Sequence, residues 1–164
     1  MPSDRDNFIR AMRSVATSVS VVTTAGPSGV HGATVSSFTS LSADPPTVLI
    51  CLRTMSRIAH AVSQNGVFCV NVLSERDQIT ADTFAGRFDD VRSDRFADIP
   101  CRQVARHGPV IGDSTAFACA VESVLEQASH TVFIGRVDDV NVGKHLPLTY
   151  LDGQYHSVSP STNF

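Results

Sequence analysis

Apolar and polar positions recur with two different periods along the chain. Phe8, Ile9, Met12 and Val15 fall at helical spacing, and Ser3 with Asp6 three residues on is a helix-start signal. The pattern predicts a helix over 4–16. Ser18 to Thr24 then alternates as a strand does, Gly26-Pro-Ser-Gly29 is turn chemistry, and residues 30–37 are expected back as the hairpin partner. Thr47 to Leu52 is a third strand, entered through Pro45-Pro46. Ser56 to Gln64 reads as a short helix stopped by Asn65-Gly66, where Gly66 can take the left-handed C′ position. Val67 to Leu73 is a strongly apolar strand. Ser74, with Asp77 at N3, is the expected cap of a helix running to Phe84-Ala85 before Gly86.

Residues 86–109 lose this periodicity and read as charged and irregular, ending in His107-Gly-Pro109. Two long β-type runs follow, 115–127 and 131–142, separated at Ala128-Ser-His130. Leu148 to Leu151 with Tyr155 makes a last short strand around Asp152-Gly153. Six or more strands joined by turns, with three short helices, do not alternate as βαβ units would. The expectation is a mainly β (α+β) antiparallel barrel with short helices over its ends.

Composition narrows this further. The 164 residues suit one domain over 1–164. A hydrophobic share of 42% supplies a sizeable core, and 18% charged residues suits an ordinary soluble surface. At net charge -3, bulk electrostatics draws the chain to neither nucleic acid nor anionic membrane. No apolar run approaches the roughly 18 residues of a membrane span, and the polar N-terminus does not read as a signal peptide, so cytoplasmic residence is expected. The four cysteines, at 51, 69, 101 and 119, form no CxxC pair, and three lie inside apolar runs. Neither a disulfide framework nor a metal site is expected from them.

Chemistry motifs are sparse. There is no GxSxG, since Gly26-Pro-Ser-Gly-Val30 lacks the final glycine, and neither GxGxxG nor GxxxxGK[ST] occurs. What stands out is His31 to Pro46, HGATVSSFTSLSADPP, with two Thr and four Ser in sixteen positions and no acid before Asp44. On composition alone it reads as a solvated connection with Ser/Thr turns. Hydroxyls and adjacent backbone N–H groups also suit a planar, heteroatom-rich ligand or a phosphate. Arg53 and Ser56, just past the third strand, pair a guanidinium with the start of a helix, and Phe84-Ala-Gly-Arg87 puts a second Arg beside a helix end.

Taken in order, these stretches resemble the short-chain flavin reductase family, the reductase components of two-component flavin-dependent monooxygenases such as 4-hydroxyphenylacetate and phenol hydroxylases. The resemblance rests on Gly32-Ala-Thr-Val-Ser-Ser-Phe-Thr-Ser-Leu-Ser42 with Pro45-Pro46 and Val48-Leu-Ile-Cys-Leu52. It continues through Phe68-Cys-Val-Asn-Val-Leu73, Phe84-Ala-Gly-Arg-Phe88, Ala128-Ser-His130 with Ile134-Gly-Arg-Val137, and Pro147-Leu-Thr-Tyr150, spanning about residues 8–156. It implies a flavin-binding split β-barrel of Greek-key type, a homodimer, FAD or FMN as the flavin, and NADH or NADPH as hydride donor. It further implies that Ala33, Thr34, Val35, Ser36 and Ser37 line the flavin ring. Cys51, Leu52, Arg53 and Ser56 would hold the ribityl-phosphate side, with Phe84, Ala85 and Gly86 beside them. His130 matches the family histidine near flavin and nicotinamide, and Tyr150 and Tyr155 fall in the segment that closes over the cofactor.

Two departures stand out. Ala128-Ser129-His130 replaces the frequent Gly-Asp-His, removing a carboxylate, and Ile58 stands where a second hydroxyl often follows Ser56. His60 and His31 read as surface residues. Asp89 to Arg95 reads as a solvated loop, although its lack of periodicity would also suit a mobile lid. The function expected is NAD(P)H:flavin oxidoreductase, with reduced flavin passing to a partner oxygenase. The alternative is a flavin-binding redox module or carrier without NAD(P)H turnover, and a third possibility keeps the barrel but oxidises a small amine.

Overall fold

The computed structural model describes residues 1–104 and 106–162, with backbone alone at 103 and 104. The chain begins with helix α1, Asp4–Arg13. The Ser3 hydroxyl accepts from the Asp6 N–H and the Asp6 carboxylate accepts from the Ser3 N–H, a complete capping box. Asp4 and Asp6 in the first turn and Arg10 and Arg13 in the last complement the helix dipole. The helix ends short of residue 16 because the Ser14 hydroxyl folds back onto the Ala11 carbonyl, 2.7 Å away.

The strands then follow in pairs. Thr17–Ser18 (β1) leads into Ser20–Gly26 (β2) and Gly29–Val35 (β3), which turn at the expected Gly-Pro-Ser-Gly. Phe38–Ala43 (β4) and Pro46–Arg53 (β5) form a second hairpin. Helix α2, Arg57–Asn65, is capped by Ser56 and closed by Gly66 at φ 69°, so the glycine takes the left-handed position the sequence assigned it. Val67–Val72 (β6) and helix α3, Gln78–Phe84, follow. Cys101–Val104 (β7) and Gly108–Ile111 (β8) form a short hairpin. Thr115–Gln127 (β9) and His130–Asn141 (β10) make the long one, and Thr149–Leu151 (β11) and Gln154–His156 (β12) the last.

Every strand pairing is antiparallel, and the main sheet runs β3-β2-β6-β9-β10-β5-β4. Its two edge strands, β3 and β4, are consecutive in the chain, joined only through Ser36 and Ser37. β5 lies beside β10 rather than β6, the Greek-key placement. One core cluster takes Val22, Ile50, Leu52, Val70, Cys119 and Phe133 from five strands, so the sheet curls around a shared interior, and α2 adds Ile58, Ala59 and Val62. This is the antiparallel split barrel that the resemblance implied. A smaller sheet, β1-β11-β12, flanks it. No helix among the described residues is long and apolar enough to cross a membrane.

Three readings need correction. Phe38 to Ser42 reads as a loop but lies in strand β4, whose side chains after Phe38 are all exposed; an edge strand bonded on one side tolerates the hydroxyls that made it look like a turn. The helix expected from Ser74 starts only at Gln78. The Ser74 N–H still donates to the Asp77 carboxylate at 3.2 Å, but Ser74 also bridges to Pro147, which holds it in the sheet instead. The stretch 86–109, read as irregular throughout, contributes β7 and the start of β8. Pro109 sits there on a two-stranded edge, where its missing N–H breaks no ladder in the main sheet.

Buried Asn71 binds this hairpin to the barrel. Its Nδ2 donates to the Val21 carbonyl (3.1 Å) and the Thr23 hydroxyl (3.3 Å), and its Oδ1 accepts from the Ile111 N–H (2.9 Å) and the Ser114 hydroxyl (3.3 Å). Asn71→Leu strands the Ile111 N–H in the interior, and the expected loss in urea unfolding is about 2–4 kcal/mol. A loss under about 0.5 kcal/mol would show that the hairpin docks without this node.

Candidate functional site

A cleft of about 740 Å³ opens where β3, the start of α2 and the 89–96 segment meet. β3 contributes Val30 to Ala33, α2 contributes Ser56, Arg57 and Ile58, and the segment contributes Asp89 and Arg92 to Phe96. Such a volume lies in the usual range for small-molecule sites. Ser56 is committed locally, donating to the Arg53 carbonyl at 2.6 Å and accepting the Ala59 N–H at 3.2 Å. The helix amides before Ala59, those of Arg57 and Ile58, have no intrahelical acceptor and face outward from the helix end.

The third wall comes from the charge run that the sequence left as a solvated loop. Arg95 donates to the Gly32 carbonyl (3.2 Å) and the Phe84 carbonyl (3.0 Å), and it grips Asp89 with two bonds of 2.9 and 2.6 Å. The guanidinium holds the Asp89 carboxyl below the usual carboxylate range. Phe96 packs edge-on against Phe84 with ring centroids 4.9 Å apart. Gly32 is required at this crossing, because a Cβ there would lie 2.6 Å from the Phe84 ring. Arg57, Arg92, Arg95 and Phe96 were missed by sequence reasoning. The signal lay in Phe84-Ala-Gly-Arg plus a following Arg-rich run, but only the fold shows which arginine faces inward.

Of the residues expected to touch a ligand, Ala33 and Ser56 line this cleft. Phe84 is fully buried behind it, 1% exposed, and works as a support rather than a surface. Gly86 backs the Arg95 guanidinium, whereas Ala85 is exposed at the end of α3. A second group gathers on the neighbouring barrel corner. Ser37 donates its hydroxyl to the Cys51 carbonyl and its carbonyl accepts the Cys51 N–H, tying the β3–β4 corner to β5. On β5 and β10, Arg53 stands directly opposite His130, and Cys51 opposite Val132. These pairs share the outer face, because Leu52 and Thr131 between them point into the barrel. Ser36 and His130 are exposed, and the Ser129 hydroxyl sits 2.9 Å from His130 Nδ1.

Leu52 is 2% exposed, so only its backbone can face a ligand. Val35 packs on the core, and the Thr34 hydroxyl donates to the Ala81 carbonyl at 2.6 Å. Tyr150 and Tyr155 stack edge-on at 5.6 Å, and Tyr155 donates to the Asp82 carboxylate at 2.8 Å. The tyrosines therefore reach the site through α3, whose Ala81 carbonyl holds Thr34. No group of three or more His, Cys, Asp or Glu among the described residues could hold a metal ion.

Burial and the Asp82 carboxylate push the Tyr155 phenol up to about 12. A raised acid pKa means that the folded state keeps a proton the unfolded state releases, so the contact stabilises below pH 10 and is lost as pH rises through about 12. With two tyrosines in the chain, phenolate absorbance resolves the step, which is expected at about 12 and absent in Tyr155→Phe. A single step at the ordinary tyrosine value would refute the contact.

Comparison with known proteins agrees with this architecture. The flavin reductase-like domain matches residues 12–159. The chain is 35% identical over 157 residues to the FMN reductase (NADH) RutF of Ancylobacter novellus, covering 94% of this chain and 86% of that one. It is 33% identical to the reductase subunit HsaB of a flavin-dependent monooxygenase from Rhodococcus jostii, covering 96% and 80%. Among solved structures, the NADH:FAD oxidoreductase SgcE6 of Streptomyces globisporus superposes with a TM-score of 0.87 at 28% identity, over 99% of this chain and 92% of that one. With the domain spanning nearly the whole chain and a split barrel under it, this protein belongs to the flavin reductase-like domain family.

Proposed function

We propose that the chain is an NAD(P)H:flavin oxidoreductase that supplies reduced FAD or FMN to a partner flavin-dependent monooxygenase. The observation carrying this is convergence: residues from 33 to 130 meet at one barrel corner and the cleft beside it. The cleft fits a flavin phosphate, with the outward amides of Arg57 and Ile58 at the helix start that Ser56 caps, and nearby guanidiniums, offering donors and positive charge. Ala33 to Ser37, Cys51 and Arg53 hold the ring and ribityl side. A flavin held there would supply the electron-accepting chemistry for hydride transfer from a nicotinamide.

The chain's own part is binding and alignment. No carboxylate stands among Ala33 to Ser37, Cys51, Arg53 and His130, which suits a step in which the protein need not supply a strong acid or base. Ser36 offers its hydroxyl to the heteroatom edge of the ring while the Ser37 hydroxyl stays on the Cys51 carbonyl, and Arg53 adds positive charge near developing negative charge. His130, steadied by Ser129, orients the nicotinamide at close range. The ring corner is open to solvent, and exposed apolar residues lie beside it and, separately, on helix α1. Val124 is 51% exposed and Leu125 60%, on the outer half of the hairpin carrying His130, and helix α1 leaves Phe8 66% exposed with no residue buried. A second copy of the chain on these faces would complete the wall, hence a homodimer. Free thiols at all four cysteines suit the reducing cytoplasm.

Oxidation of NADH or NADPH should depend on added FAD or FMN; flavin binding without nucleotide consumption would instead leave a redox carrier. Ser56→Ala combined with Arg53→Ala is expected to weaken flavin binding about tenfold, and unchanged affinity removes both from the phosphate side. His130→Asn should lower kcat/KM for the nucleotide about tenfold with flavin affinity nearly kept. In sedimentation, Leu125→Glu should shift dimer to monomer, and a native monomer overturns the dimer.

A further inference from the structure

The hairpin that carries His130 turns through two residues, Ala128 and Ser129, between the paired Gln127 and His130. Ala128 holds φ 53°, a left-handed setting uncommon for a residue with a Cβ and the mark of a tight two-residue turn. The end of β5 pins this turn. The Thr54 N–H donates to the Ser129 carbonyl at 3.0 Å, and the Thr54 and Thr131 hydroxyls lie 2.9 Å apart, with Thr131 buried. The residues on both sides of His130 are therefore fastened to the strand that carries Arg53. Within this frame the Ser129 hydroxyl lies 2.9 Å from His130 Nδ1.

A neutral imidazole donates at one ring nitrogen and accepts at the other, and the bond made at one fixes the role left to the other. Arg53, directly opposite on β5, is charged and can only donate, while Gln127, opposite on β9, is uncharged. No carboxylate among the described residues pairs with His130. Ser129 is thus the group that sets the state of the ring. Its carbonyl is already taken by Thr54, and among the described residues its hydroxyl has no protein acceptor other than Nδ1.

We infer that Ser129 is a positioning residue for the hydride step: it donates to His130 Nδ1 and holds the ring as the tautomer with its proton on Nε2, a neutral donor for the carboxamide oxygen of the nicotinamide. A donor already oriented by the turn loses less freedom when the nucleotide arrives. The inference deepens the reductase reading and rests on its placement of the nicotinamide at His130.

Nitrogen NMR of the full chain with isotope-labelled histidine tests it, since a bare ring nitrogen resonates far from a protonated one. The His130 signals are those lost in His130→Asn. Above the ordinary imidazole range the native protein should show bare Nδ1 and protonated Nε2. Ser129→Ala should show a mixture of tautomers and raise KM for NADH or NADPH about fivefold with kcat kept within about twofold, and Ser129→Thr should restore both. Ser129→Asp brings a carboxylate, which can only accept, so it takes an Nδ1–H and leaves a bare Nε2 toward the nucleotide. The ratio of its KM to the native value should therefore climb as pH rises through the imidazole range and fall as pH drops, where the imidazolium carries a proton on both nitrogens.

A protonated Nδ1 in the native protein, a ring spectrum or KM unchanged in Ser129→Ala, or a pH-independent ratio for Ser129→Asp overturns the inference. If neither nucleotide is oxidised with either flavin, the reductase reading itself fails. The spectra then decide alone: loss of the single tautomer in Ser129→Ala supports the role of the hydroxyl, and no change overturns it.

Discussion

The pairing of β5 with β10 is the constraint on which the rest of this molecule depends. Seven residues on each strand lie in register, from His130 opposite Arg53 to Arg136 opposite Thr47. Because side chains alternate across a strand, that register sends Ile50, Leu52 and Phe133 into the core and leaves Cys51, Arg53 and His130 outside. A slip by one residue would bury the arginine and the histidine and expose the core. The same pairing carries the end of β5 to the point where Ser56 starts α2, and so sets one wall of the cleft.

Around this frame the site is built by contacts between segments rather than within them. The Ser37–Cys51 pair fastens the β3–β4 corner to β5. Thr34 bonds to α3, and α3 in turn takes the Tyr155 hydroxyl on Asp82. Arg95 reaches back to both Gly32 and the end of α3. These bonds are partly shielded from water, and breaking one leaves a donor or acceptor poorly satisfied. The cleft wall is therefore held by a few directional bonds over an apolar support of Phe84 and Phe96.

Much of the fold was legible in the chain. The Ser3-x-x-Asp6 box, the Ser56 cap, Gly66 and the Gly26–Gly29 turn are local devices whose physics is complete within a few residues. Strand β4 was less legible because its exposed edge carries Ser and Thr where a buried strand carries apolar residues. The hairpin β7–β8 was hidden because its support, Asn71, lies some thirty to forty residues away in β6. Of the site, Ala33 and Ser56 were legible through the motif, whereas Arg57, Arg92 and Arg95 looked like any solvated charges.

The sequence by itself determined the main caps and turns, most of the core strands and their antiparallel character, and which family the chain resembles. Periodicity, caps and turns are short-range properties, and a run of motifs in order is read without coordinates. Only the tertiary structure decided that the 89–96 segment is a wall and not a free loop. It alone showed that Leu52 and Phe84 support the site from within, and that His130 faces Arg53. Those outcomes depend on register and long-range closure, in which one residue of shift reverses inside and outside, and no local pattern encodes that choice.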